Sequence, residues 1–234
     1  WTGSNYDGHG SGTMTAREPD TGASILATDA QTTDTRGAGF ANGVSVVRAD
    51  TILNALATSD VRIIAEGWIS VQTWENRPFN QATAYINTTS NRKLTLQAND
   101  YIALYSARIN MPNGTLELLA GTSITQESVA PIYANTLILG SSNGGVSKPT
   151  VNLTTANNYV SNLQASNLST LSLTNAQGLT VNANGISTTD AISLTATSIT
   201  VGGNITTSAT SGNGVLLKST GNIGLSSSKS ITTS

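Results

Sequence analysis

The chain has 234 residues, 38% of them hydrophobic, 10% charged and 5% aromatic, with a formal net charge of −2. That is too much apolar content for a disordered polar chain, and with Arg92-Lys93 as the only adjacent basic pair no phosphate-tracking groove is encoded. No apolar run is long enough to span a bilayer, and the lack of cysteine excludes a disulfide framework and thiolate metal sites.

The chain opens at Trp1-Thr2-Gly3 rather than at methionine, as a processed or cut protein would. Residues 1–43 are Gly-rich and carry no rhythm, so they read as an irregular cap or an assembly arm, separate from 44–234. Ala49 to Leu56 has the composition of a short helix. Then a repeat begins: an apolar-x-apolar triplet, a spacer of five residues, and a second triplet. Val61-Arg62-Ile63 leads in this way to Ile69-Ser70-Val71, and Leu94-Thr95-Leu96 to Ile102-Ala103-Leu104. After Leu116-Glu117-Leu118 the partner beginning at Ile124 is broken by Gln126. Leu171-Ser172-Leu173 leads to Leu179-Thr180-Val181, Ile192-Ser193-Leu194 (after only four) to Ile199-Thr200-Val201, and Val215-Leu216-Leu217 to Ile223-Gly224-Leu225. A third apolar position often follows, at Ile109, Ile186, Ile205 and Ile231.

Two-residue alternation is the period of a strand, and three short strands recurring every 21 to 23 residues describe one turn of a solenoid. No turn can bury its inward residues alone, whereas stacked turns bury them all and pair their backbones. The pattern therefore predicts an all-β, right-handed parallel β-helix with three strands per turn and small or turn-forming corner residues. Segments 72–85 and 140–150 interrupt the rhythm and are expected to leave the shaft as side loops. Aligning the first triplets predicts an outward ladder of Arg62, Thr95, Glu117, Ile138, Ser172, Ser193 and Leu216. The second ladder is Ser70, Ala103, Thr125, Thr180, Thr200 and Gly224. After Lys148 only Asp190, Lys218 and Lys229 are charged, so the distal shaft is coated with Ser, Thr and Asn.

The run from Ala49 to Val71, with its Val-Arg-Ile-Ile-Ala-Glu-Gly-Trp-Ile-Ser-Val unit, resembles the repeat entry of filamentous-haemagglutinin-like exoproteins. Leu-Thr-Leu-Gln-Ala-Asn-Asp-Tyr-Ile-Ala-Leu at 94–104 is similar to a further unit of that family. The resemblance implies secretion, a β-helical shaft, and attachment or structural work at a microbial cell surface. The family's paired Asn-Pro-Asn turns are approached only by Met111-Pro112-Asn113-Gly114.

Trp74, Arg77, Phe79 and Tyr85 concentrate aromatics and a guanidinium in the loop 72–85. Aromatic faces take sugar rings or partner side chains, so these residues are candidates for contact with a surface glycan or protein. The plainer reading is that they fold down to anchor the loop on the shaft. The C-terminal turn carries full rhythm and no cap, which makes end-to-end stacking with another copy a second possibility. There Ile25 and Leu26 would seat against Ile223 and Ile231. Neither ladder supplies the paired carboxylates of polysaccharide-cleaving β-helices, so no catalytic residue is assigned. His9 is the only histidine, and Asp20, Asp29 and Asp34 lack calcium-loop spacing, so neither a metal nor a cofactor is expected.

Overall fold

The computed structural model describes residues 2–3, 15–17, 24–26, 45–47, 49–72, 84–105, 107–210, 212 and 214–233. Their strands stack in parallel into a β-helix, and three columns of inward side chains fill it.

The first face begins with Val61–Ala65 and Lys93–Ala98, and continues through 115–120, 136–140 and 162–166. Beyond it the ladder divides: Leu163 pairs with Val181 and Ala165 with Ile186. One branch runs on through Ile199–Val201 and Ile223–Leu225, the other through Ile205–Thr207 and Ile231–Thr233. The second face stacks Ile69–Val71, Tyr101–Leu104, Ser123–Gln126, 150–153, Leu171–Asn175, Ile192–Ala196 and Val215–Ser219. A third face, shorter than the others, carries Ala84–Asn87, 108–111, 132–134 and 159–160.

Alternation explains the interior. Val61, Leu94, Leu116, Leu137, Leu163, Val181 and Val201 form one buried column; Ile69, Ile102, Ile124, Val151, Leu171 and Ile192 form another. Rungs repeat at about 4.8 Å, so each side chain packs on the one before and the one after. Burying a Leu or Ile contributes about 1.5–3 kcal/mol, and the columns repeat that contribution at every rung. Corners are tight where backbone crosses over backbone. At Gly121 a Cβ would lie 1.8 Å from the Asn99 carbonyl oxygen, which leaves room for glycine alone.

The proximal end is covered. The helix Ala49–Leu56 buries Ile52 and Leu56, and Asp50 Oδ1 accepts the Thr51 N–H at 2.9 Å in its first turn. Thr15–Arg17 pairs antiparallel with 62–64 of the first rung and carries Ser24–Leu26 on its other edge. Thr2–Gly3 pairs antiparallel with Ser45–Val46, and its Thr2 with Ser70. At the distal end Ile223, Leu225 and Ile231 remain 49%, 53% and 42% exposed, because no described rung lies above them.

The expected outward ladders need two corrections: Ser70, Thr95 and Ala103 are buried, at 2%, 3% and 3% exposure, and the ladders change partners along the shaft. Leu137 stacks on Leu163, not on Leu171, and Leu171 stacks on Val151. Arg62, Thr95, Glu117 and Ile138 are therefore followed by Gln164, while Ser172, Ser193 and Leu216 continue Ser70, Ala103, Thr125 and Asn152. Thr180, Thr200 and Gly224 belong to the first-face branch. The same five-residue spacer serves two different corners. Proximally it joins face one to face two; distally, once the third face has ended, it joins face two back to face one.

Side loop 140–150 is partly strand. Ile132–Ser141 runs into it, and Thr150–Leu168 starts at its end. The turn between them uses positive φ at Gly144 and Gly145, a conformation suited to glycine.

Candidate functional site: an outer aromatic column beside a buried amide network

Of the four residues singled out in the loop 72–85, Trp74, Arg77 and Phe79 lie outside the described residues. Tyr85 sits in the strand Ala84–Asn87, by which the chain rejoins the third face; the neighbouring Ala84 pairs with Arg108. The loop thus leaves after the second face and returns beside a group of large side chains on the third.

That group is a column. The Arg108 guanidinium lies 5.2 Å from the centre of the Tyr133 ring, a cation over a negative aromatic face. Tyr133 and Tyr159 are paired across adjacent rungs, and their rings stack at 4.5 Å with 5° between planes. Parallel in-register strands bring equivalent side chains one rung apart, which is the spacing that ring stacking needs. Asn110 Nδ2 donates to Asn87 Oδ1 at 2.6 Å on the same face. A second outer pair, Trp68 and Tyr101, stacks at 5.7 Å at the edge of face two.

Directly behind this column lies a polar network in the core. Asn158 is fully buried; its Oδ1 accepts the Ile132 N–H at 2.9 Å and Gln126 Nε2 at 2.6 Å. Its Nδ2 contacts Gln126 Oε1 and the carbonyls of Leu153 and Thr174 at 3.0–3.1 Å. One rung on, Asn175 Oδ1 accepts the Val160 N–H at 2.8 Å, and its Nδ2 donates to the Val160 carbonyl at 2.9 Å. An amide side chain copies a peptide group. Asn175 therefore takes the place of the strand that would otherwise continue the third face, and leaves Val160 satisfied.

The first face carries an ion pair across adjacent rungs. Glu117 accepts from Thr95 Oγ1 at 2.6 Å and meets Lys93 Nζ at 3.2 Å. Arg62 donates to Gln97, whose Nε2 in turn donates to the Ser142 carbonyl at 3.1 Å. These contacts tie adjacent rungs together and leave Arg62 and Glu117 separated by Thr95. Among the described residues no three His, Cys, Asp or Glu side chains gather as a metal site would require. His9, Asp20, Asp29 and Asp34 fall outside them. No described helix is long and apolar enough to cross a membrane.

The four residues of the assembly hypothesis occupy opposite ends. Ile25 and Leu26 are in Ser24–Leu26, facing Ala16 and Thr15 beside the first rung, whereas Ile223 and Ile231 are on the last. Within one chain they do not meet.

Sequence reasoning missed Arg108, Tyr133, Tyr159, Asn158 and Asn175. Gln126 was visible as a break in a triplet, and its buried position gives that break a purpose. Comparison with protein-family profiles, curated proteins and solved structures returned no match.

Proposed function

We propose that this chain is a non-enzymatic, extracellular rod of a microbial surface, structural and adhesive, related in kind to filamentous-haemagglutinin-like exoproteins. The observation that carries the reading is the division of labour in the shaft. Apolar columns and a closed amide network fill the inside, while uncharged Ser, Thr and Asn and stacked aromatic side chains face outward. Such a surface offers many weak polar contacts on a stiff backing, which suits attachment by avidity. Glu117, the carboxylate best placed for chemistry on the first face, is engaged by Lys93 and Thr95 in holding rungs together. The repeat-entry resemblance at 49–71 and 94–104 supports the secreted setting.

Fluorescently labelled protein incubated with intact cells and with their extracted surface polysaccharides tests this. The expected result is saturable retention with no release of reducing or unsaturated sugars. Absence of retention, or shortening of the polysaccharide abolished by Glu117→Gln, contradicts it.

A further inference from the structure

We infer that Tyr159 is a stacking platform for a neutral hexopyranose ring, an inference that rests on the adhesive reading above and names a ligand class for it. Both faces of Tyr133 are occupied, one by the Arg108 guanidinium and the other by Tyr159. Tyr159 has only one face on a neighbouring ring. On its other side no described strand pairs with Tyr159 or Val160: the Asn175 side chain takes the Val160 groups, and the corner that follows it crosses there, the Ala176 N–H donating to the Asn158 carbonyl at 2.7 Å. The next strand along, 179–181, stacks instead on 162–163. Tyr159 stands beside this corner, 36% exposed.

The surroundings select the ligand. Ser161 projects from the same side of the strand as Tyr159, and its Oγ accepts from Gln177 Nε2 at 3.2 Å. A hydroxyl and an amide beside a ring offer donors and acceptors to sugar hydroxyls, while the negative ring face attracts the C–H face of a pyranose. From 149 to 189 the chain has no charged residue, and the nearest cation of the column, Arg108, lies against Tyr133 with that ring between it and Tyr159, so the open side of Tyr159 favours a neutral sugar. A proline-rich peptide needs a slot between separated aromatic ridges, and rings stacked at 4.5 Å leave none.

Tyrosine-labelled intact chain, titrated by NMR with cellohexaose, maltohexaose, mannohexaose and a polyproline peptide, tests the proposal. At least one neutral oligosaccharide is expected to move the Tyr159 ring resonances saturably. Tyr159→Phe should bind within about threefold of the parent, and Tyr159→Ala at least tenfold more weakly. Tyr159→Leu preserves apolar bulk without the ring, and should also lose binding even if the alanine variant folds poorly. Unchanged binding by Tyr159→Leu, a response to the peptide alone, or no response to any of the sugars overturns the inference. Retention of the parent chain on cells, measured alongside, separates the two claims. If retention persists and the sugars leave Tyr159 unmoved, the platform fails and the adhesive rod survives; if retention itself is absent, the adhesive reading fails.

Discussion

Ile199→Asp is expected to melt the distal rungs at temperatures where Thr200→Asp leaves them folded. Ile199 is 1% exposed and sits in the inward column between Leu179 and Ile223, whereas Thr200 is exposed between Thr180 and Gly224. The two positions share a strand, a backbone ladder and a β-branched shape; they differ in which way the side chain points. An aspartate at 199 would place a carboxylate among aliphatic side chains with no cation near it. Removing the partner of a buried charge costs about 3–5 kcal/mol, and a newly introduced one stands in the same position. At 200 the carboxylate stays in water, and the cost should remain within about 0.5 kcal/mol. Because each rung touches only its neighbours, the loss should be local. Amide exchange should therefore accelerate across 179–225 first and spare the rungs around Leu94 and Leu116. Equal destabilisation by the two variants would mean that the strand faces the other way.

The amide network predicts an effect of similar size from a change that makes the core more apolar. Asn158→Leu fits the general composition of the interior, yet it removes the acceptor for the Ile132 N–H and the donor to the Leu153 and Thr174 carbonyls. It also leaves both polar atoms of the Gln126 amide without their Asn158 partner. Each orphaned buried group costs about 1–3 kcal/mol, and since the losses share one site they should total about 3–5 kcal/mol rather than add in full. Asn152→Ala is the control. Asn152 is exposed, its Oδ1 accepting from the N–H and hydroxyl of nearby Thr154, and its loss should cost well under about 1 kcal/mol. Urea denaturation of the three proteins measures this. A midpoint for Asn158→Leu at or above that of Asn152→Ala would show that the network carries no stability.

What was legible in the sequence follows from what alternation encodes. Inward and outward positions along a strand differ in polarity, so Val61, Ile63, Ile69 and Val71 could be placed inside without knowing which strand lay beside them. The helix at 49–56 was readable because Ala, Leu and Asn break the two-residue rhythm just before the first rung. Alternation says nothing, however, about which corner a spacer turns. Triplets 61–63 and 171–173 are each followed by five residues and another triplet, yet they lie on different faces. Their shared spacing concealed the change of phase. The link between them was hidden too, because Leu163-Gln164-Ala165 ends in alanine and does not look like a core triplet.

The site was harder to read for a related reason. Tyr133 and Tyr159 become neighbours through register between rungs, and their separation along the chain is not the regular repeat. Asn158 and Asn175 look like surface residues by composition. Only the end of the third face, where backbone groups need a substitute for the missing strand, makes buried amides the economical solution. The candidate loop residues Trp74, Arg77 and Phe79 were found by composition alone, which gives residue types and not their arrangement.

The chain is a single solenoid in which the ladders change partners between the proximal and distal halves. Every outward assignment, including the end of the third-face ladder at Tyr159, follows from that register. The direct measurement is the distance between paired spin labels on cysteines introduced into this cysteine-free chain. Asn152 and Ser172 are in-register neighbours on face two, about 4.8 Å apart along the ladder, whereas Ile138 lies on face one. The predicted result is a shorter distance for the 152/172 pair than for the 138/172 pair. A shorter distance for 138/172 would restore the unbroken first-triplet ladder and contradict the fold described here.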